Sequence, residues 1–377
     1  MQTSLSSSLL KKIALALSGG GIRAMVFHLG VLSYLAEQQR LEEITHISTV
    51  SGGSLIMGLI FQHANMKWPT SQQFLNFIRP QIKRLLCEKS LMAGSLKQFL
   101  NPLNLKHLFS RTHILSKAIQ TEWGTGCDLQ ELPEHPEWSI NATVGETGKR
   151  FRFKKNDLGD YDSGYCKTIE HAFPLCDAMA ISAAFPVGIG PLAIESQKFI
   201  WYKRKWNEPP EMAKPITLRH KHLHLYDGGV YDNLGLEGFF DIAQQEKKAK
   251  LSEDTLLIVS DAGSPLDEQV PSLYKLVTRF MHLIDIIYNQ NRSLRVRSLV
   301  AYLRRHKNRG VYLPIKTKIP QSNGADEFAM QFPTSLQKLS EEEFDKLYQH
   351  GYNVCRKYYF FIADENIGSG KSAMDIF

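Results

Sequence analysis

Two stretches near the start decide the fold: KKIALALSGGGIRAMVFHLGVLSYLAEQQ, residues 11–39, and ITHISTVSGGSLIMGLIF, residues 44–61. In the first, an apolar run ends in Ser18-Gly19-Gly20-Gly21, after which Met25, Leu29, Leu32 and Leu35 recur at helical spacing. A short apolar run closed by glycines reads as a buried strand, and apolar residues three or four apart mark one face of a helix. The second stretch repeats the unit. Ile44 to Val50 is strand-like, Ser51-Gly52-Gly53 is the turn, and Ser54 opens an apolar helix. Two such units in succession predict an α/β fold with a largely parallel sheet.

Further along, residues 66–135 read as amphipathic helices and residues 137–168 alternate as strands. Ile169 to Pro186 reads as a helix with an alanine-rich end, AMAISAAFP. Leu223 to Tyr226 is a strand closing at Asp227-Gly228-Gly229, and LLIVSDAG, from Leu256, is another buried strand with its turn. Leu273, Leu276, Val277, Phe280, Leu283, Ile284 and Ile287 form a helical stripe that continues through Val296, Leu299, Val300 and Leu303. No repeat, low-complexity tract or linker demands a cut. The expectation is one domain over 1–377, with a core of about 12–265, a basic helical part of about 272–377 and a frayed tail from Asn366.

Of the 377 residues, 43% are hydrophobic and 22% charged, which excludes disordered, collagen-like and coiled-coil classes. Five dispersed cysteines with no CxxC pair argue against a disulfide framework or zinc site and for a reducing compartment. No apolar run reaches the roughly 18 residues of a membrane span. MQTSLSSSLLKKIALAL carries its lysines mid-way and makes a poor signal peptide, so the expected location is cytoplasmic. A net charge of +7 points to an anionic partner. No nucleic-acid module accompanies it, so nucleic acid is not the expected one.

Three glycine motifs carry chemistry. Ser18 to Ala24 lets backbone N–H groups face an anion at a helix N-terminus. Gly19-x-Gly21-x-x-Ala24 formally fits a dinucleotide fingerprint, but the next strand ends in Val50-Ser51-Gly52-Gly53 instead of the acidic residue that fingerprint needs. An oxyanion hole is the second use and a plain connecting turn the third. Thr49-Val50-Ser51-Gly52-Gly53 has the context of a nucleophile elbow, with Gly53 at +2 but Thr49 where glycine is usual at −2. Ser18, flanked by Ala16 and Gly20, and Ser54, without the +2 glycine, are rival nucleophiles. Asp227 ends a strand before two glycines, where a carboxylate reaches across a sheet top or merely forms an Asx turn.

Together these motifs resemble the patatin-like phospholipase family, in SGGGIRAMVFHLGVL, STVSGGSLIMG, AMAISAAFP and YDGGVYDNLG, in the family's order from roughly Ile13 to Asp261. The resemblance implies a three-layer αβα fold with a mostly parallel central sheet. It implies that Ser51 attacks a fatty acyl ester of a membrane glycerophospholipid, as a phospholipase A or lysophospholipase, with Asp227 as general base. Gly19, Gly20 and Gly21 would hold the oxyanion, Arg23 would support that loop or a substrate phosphate, and Ser182 to Pro186 would shape the acyl pocket. No metal or other cofactor is implied. Contact with the inner membrane surface would be peripheral, and a homo-oligomer stays open.

His220, His222 and His224 alternate before Asp227 and offer a metal site, the third member of a Ser–His–Asp esterase, or a polar strand face. Between Ile286 and Ala325 there is no Asp or Glu but nine Lys/Arg, among them Arg292, Arg295, Arg297, Arg304 and Arg305. That segment suits a solvated face, anionic headgroups or a phosphorylated regulator. Some bacterial members of the family are antiphage effectors switched on by cyclic oligonucleotides, which makes such a nucleotide a candidate activator. The rival from another class is a nucleotide-binding protein using the Gly19–Ala24 turn, with Ser51 structural. Gly368-Ser369-Gly370-Lys371-Ser372 fails as a P-loop, because Glu365 takes the first glycine position and too few residues follow.

Overall fold

The computed structural model describes residues 12–102, 104, 110–186, 188–205, 208–264 and 276–363. The leader, Leu273, the near P-loop and the tail from Asn366 lie outside them, as do the side chains of Leu276 and Val277. The two opening units form as expected: β1 (Ile13–Leu17), α1 (Gly21–Glu37), β2 (Ile44–Thr49) and α2 (Gly52–His63). Helices α3 (Ser71–Gln73), α4 (Arg79–Glu88), α5 (Leu91–Leu100) and α6 (Arg111–Trp123) follow. Strands β3 (Glu137–Val144), β4 (Arg150–Phe153), β5 (Asp157–Asp160) and β6 (Gly164–Lys167) lead to α7 (Leu175–Ser182). This helix is shorter than the sequence pattern suggests. Pro174 stands at its N-cap, and Ile169 is exposed in the turn before it.

Next come β7 (Leu192–Glu195), β8 (Trp201–Lys203), β9 (Lys214–Ile216), β10 (His222–Asp227), α8 (Gly229–Asp232) and the hairpin β11 (Phe240–Asp241) and β12 (Glu246–Lys247). The chain continues through β13 (Leu256–Asp261), α9 (Leu276–Arg305), β14 (Gly310–Pro314), α10 (Ala325–Gln331) and α11 (Glu341–Ala363).

One half of the sheet, β14-β13-β1-β2-β3 from its edge inward, is parallel throughout. Beyond β3 the chain turns back on itself as an antiparallel meander through β4, β5, β6, β8 and β9, while β10 pairs antiparallel with β3 and β7. Every residue of β1 and β13 is buried, as expected of strands covered by helices on both faces. Alternation assigns the faces. Ile13, Leu15 and Leu17 join the core that holds α1 and α2, whereas Ala14 and Ala16 face Phe239, Leu299 and Tyr302. The result is the three-layer α/β arrangement.

Two features of the helices position the site. Where α1 crosses α11 the backbones touch: a Cβ on Gly30 would meet Tyr348 O at 2.2 Å, and one on Gly351 would meet Phe27 O at 2.0 Å. In α9 the stripe is not one core face. Leu299 and Tyr302 are buried on the sheet, but Phe280, Leu283 and Ile287 are each more than half exposed, because the N-terminal half of the helix turns other residues, Met281, Asp285 and Tyr288, onto a cavity instead of packing on the sheet. Among the described residues, no helix is long and apolar enough to cross a membrane.

Candidate active site

One edge of β3 brings Ser51 and Asp227 together. β2 runs parallel along that edge from His46, opposite Glu137, to Thr49, opposite Ile140, and then leaves into the elbow. β4 occupies the other edge across Ile140 to Thr143, so β10 shares the edge of β2, approaching antiparallel from Leu225, opposite Val144, to Asp227, opposite Ala142. The two strands end facing each other, two β3 residues apart, which is about 7 Å of strand.

Ser51 sits at φ 49°, ψ −117°, a backbone state that non-glycine residues avoid unless their surroundings impose it. Here they do. The Ser51 N–H donates to both Ser182 O (3.1 Å) and Ser182 Oγ (3.0 Å), and the Ser51 carbonyl accepts from the N–H groups of Ser54 and Leu55. The Ser51 hydroxyl donates to the Asp227 carboxylate. Burial pushes the Asp227 carboxyl up to about 7, against the pull of hydrogen bonds from Gly229 N–H and Ser51. The Gly229 bond is 2.6 Å long, to Asp227 Oδ1. A carboxylate tuned near neutrality, bonded to a hydroxyl on a strained turn, is suited to take that hydroxyl's proton.

Thr49, at the position where an elbow usually has glycine, is built into the core. Its Oγ1 accepts from Trp138 Nε1 at 2.9 Å and shares a 2.8 Å bond with Ser54 Oγ, which in turn bonds Ser182 Oγ at 2.8 Å. The AMAISAAFP segment therefore serves both partners, because Ala184 O accepts from the Asp227 N–H at 3.0 Å. Asn141 closes the frame with bonds from its Nδ2 to Thr49 O and Ser48 Oγ, while its own carbonyl accepts from Ser182 Oγ.

The three glycines divide their work. The Gly19 N–H donates to Asn233 O at 3.0 Å, so it is committed to the fold and is not an oxyanion donor; this corrects the expectation for Gly19. A side chain there would also strike Asn233 Oδ1 at 2.4 Å. The N–H groups of Gly20 and Gly21, at the N-terminus of α1, have no partner among the described residues and lie beside the elbow. Arg23 is buried and braces the loop, donating to Ala262 O and Phe332 O. His28 does the same from below, through Ser18 O (3.0 Å) and Ser260 Oγ (2.8 Å), and burial holds its imidazole down at about 4, neutral near pH 7.

Ser51, Asp227, Gly20 and Gly21 open onto a cavity of about 1480 Å³ with largely apolar walls, including Ile114, Leu115, Phe185, Ile189 and Leu336. Met92, Leu96 and Phe99 of α5 line the same cavity while remaining exposed, and so form part of its rim.

Of the rival serines, both are buried and engaged: Ser18 Oγ accepts from Ala262 N, and Ser54 is bonded as above. His220, His222 and His224 are exposed, and His224 pairs with Glu146 at 2.6 Å. Among the described residues no group of His, Cys, Asp and Glu is placed to hold a metal ion. The five arginines do not converge. Arg292 pairs with Asp261 at 2.7 Å and reaches the cavity wall. Arg295 faces Asp232 at 3.3 Å, Arg297 caps a carbonyl of its own helix, Arg305 bonds Gln245, and Arg304 is exposed. Sequence reasoning missed the framing contacts of Asn141 and Asn233. Only Asn233 carried a signal, its place in the YDGGVYDN run.

The chain matches the family Patatin-like phospholipase over residues 15–240. It belongs to the patatin-like phospholipase family. No curated protein matches it. Among solved structures, human GIVD cytosolic phospholipase A2 superposes with a TM-score of 0.55 at 12% identity, covering 94% of this chain and 59% of that one. The same human enzyme in complex with methyl gamma-linolenyl fluorophosphonate gives 0.52 at 13% identity, covering 94% and 58%. These likenesses are of fold, and this chain spans less than two thirds of the length of those neighbours.

Proposed function

We propose that this protein is a lipid acyl hydrolase that cleaves fatty acyl esters of glycerophospholipids through a Ser51–Asp227 dyad. The observation that carries the reading is the Ser51 hydroxyl, on its left-handed elbow, bonded to a buried carboxylate of near-neutral pKa at an apolar cavity. Ser51 Oγ attacks the ester carbonyl as its proton passes to Asp227. The tetrahedral oxyanion is held by the Gly20 and Gly21 N–H groups, and the departing alcohol takes the proton back from Asp227. Water then repeats the sequence on the acyl-enzyme, releasing the fatty acid and restoring Ser51. A carboxylate is a weaker base than imidazole, so positioning and exclusion of water supply the difference.

The substrate class follows from the walls. A cavity this large and apolar suits an acyl chain, and the exposed Met92, Leu96 and Phe99 at its rim suit contact with a bilayer surface. The test is fatty acid release from phospholipid vesicles, with labelling by a fluorophosphonate probe. Wild type is expected to hydrolyse and to be labelled at Ser51, and Ser51→Ala to do neither. Full hydrolysis by a folded Ser51→Ala or Asp227→Ala overturns the dyad.

A further inference from the structure

Helix α9 sends Met281, Asp285, Tyr288 and Arg292, spaced one helical turn apart, into the cavity that holds Ser51 and Asp227. Tyr288 stands on the Asp227 side of the site. Its ring lies against Phe185, with centroids 5.8 Å apart. A Cβ added to Gly229, the residue whose N–H holds Asp227 Oδ1, would meet Tyr288 Cε1 at 3.0 Å.

Its hydroxyl is the anomaly. Tyr288 Oη is buried yet has no hydrogen-bond partner among the described residues. The polar side chains around the elbow, Thr49, Ser54, Asn141 and Ser182, are all paired. A buried phenol that gives up hydration for nothing calls for a partner absent from the bare protein. Burial, with Asp227 and Asp285 nearby, drives its ionisation far above the ordinary phenol range, so it can offer a proton in a hydrogen bond but cannot act as a base.

We propose that Tyr288 Oη is a third polar group of the active site, donating a hydrogen bond to the alcohol-side oxygen of the scissile ester. The proposal rests on the Ser51–Asp227 reading. The donors for the acyl oxygen, Gly20 and Gly21, belong to the glycine loop, whereas the leaving oxygen must come beside the carboxyl that returns its proton, and Tyr288 packs on that carboxyl's own turn. As the C–O bond breaks, its electron pair goes to the leaving oxygen, the proton arrives from Asp227, and the phenol stabilises the developing charge while keeping its own proton.

Tyr288→Phe keeps the ring and removes one oxygen. On a phospholipid, whose leaving group is an alkoxide, kcat is expected to fall about 10- to 100-fold with KM nearly unchanged, the scale of one transition-state donor. On a p-nitrophenyl ester of the same fatty acid, whose leaving group departs without protonation, the loss is expected to stay within about threefold. The melting temperature of Tyr288→Phe is expected to equal or exceed that of wild type, since an unpaired group has gone. Equal losses on both esters, no loss on either, or a lowered melting temperature overturns the proposal. Ser51→Ala runs alongside. If it still turns over, the dyad reading fails by itself, whereas the contrast between the two esters belongs to Tyr288 alone.

Discussion

Thr49 and Asp227 end their strands on the same edge of β3, paired with Ile140 and Ala142 respectively, so Ser51 and Asp227 are held by one continuous piece of backbone. Gly228 presses on that piece: a Cβ there would meet Asn141 O at 2.5 Å. Gly228→Ala is therefore expected to shift Asp227 and lower kcat by about 100-fold or more, the penalty typical of a 1 Å misplacement. Gly126→Ala, at a position with nothing within 4 Å, is expected to leave kcat unchanged. Steady-state hydrolysis of one soluble ester by both variants checks this.

The raised pKa of Asp227 fixes a pH profile. In the proposed dyad only the carboxylate form accepts the serine proton, so kcat/KM is expected to rise with pH and level off above about 7. At pH 5 it should lie about 100-fold below the plateau.

The same group leaves a mark on stability. Its folded pKa exceeds the unfolded value, so the stability it lends below about pH 4 is lost as the pH climbs to about 7, on the order of 4 kcal/mol across that interval. Asp227→Asn escapes this loss. Its stability relative to wild type is expected to increase from pH 4 to pH 8, as read by urea unfolding at each pH.

Thr49→Val keeps the shape of the elbow and strips its hydroxyl. Trp138 Nε1, which donates to that hydroxyl, is left buried and unpaired, at about 1–3 kcal/mol. Urea unfolding is expected to show that loss, while a soluble ester is still cleaved because Ser182 continues to hold Ser51 N–H.

The rim of the cavity gives a prediction specific to bilayers. Leu96 is 60% exposed and lines the cavity. Leu96→Asp replaces an apolar side chain whose burial in lipid is worth about 1.5–3 kcal/mol, so hydrolysis of vesicles should fall about tenfold or more. Turnover of a short soluble ester should stay level.

Much of the centre of this protein is legible in its sequence, because strand, glycine turn and helix are local patterns and β1 and β13 are buried along their whole apolar runs. Ser51 and Asp227 stand out for the same reason: each is flagged by neighbours within two residues. What the sequence hides is reciprocal contact across long separations. Gly19 and Gly20 look alike in SGGG, and only the arrival of Asn233 O decides which N–H is spent. Thr49 looks like a defect until Trp138 reaches it. Along α9 the periodicity gives the helix correctly but cannot say that Leu299 meets a sheet while Leu283 meets solvent and Tyr288 a cavity. The acid-free run of arginines reads as one feature in the sequence, yet its helical geometry sends Arg292 and Arg295 inward to Asp261 and Asp232.

The contact of Gly30 and Gly351 ties the family-matched stretch to the C-terminal helix. The glycine loop opens α1, and α1 is seated on a helix that begins a hundred residues beyond the family-matched stretch of 15–240. β1, too, owes its second neighbour to β13. A fragment cut at residue 240 would turn the central strand into a naked edge and bare the flank of α1, inviting aggregation in place of folding. The shared motifs mark where the proposed chemistry lies, but the packing that holds the glycine loop in place reaches the helix that ends at Ala363.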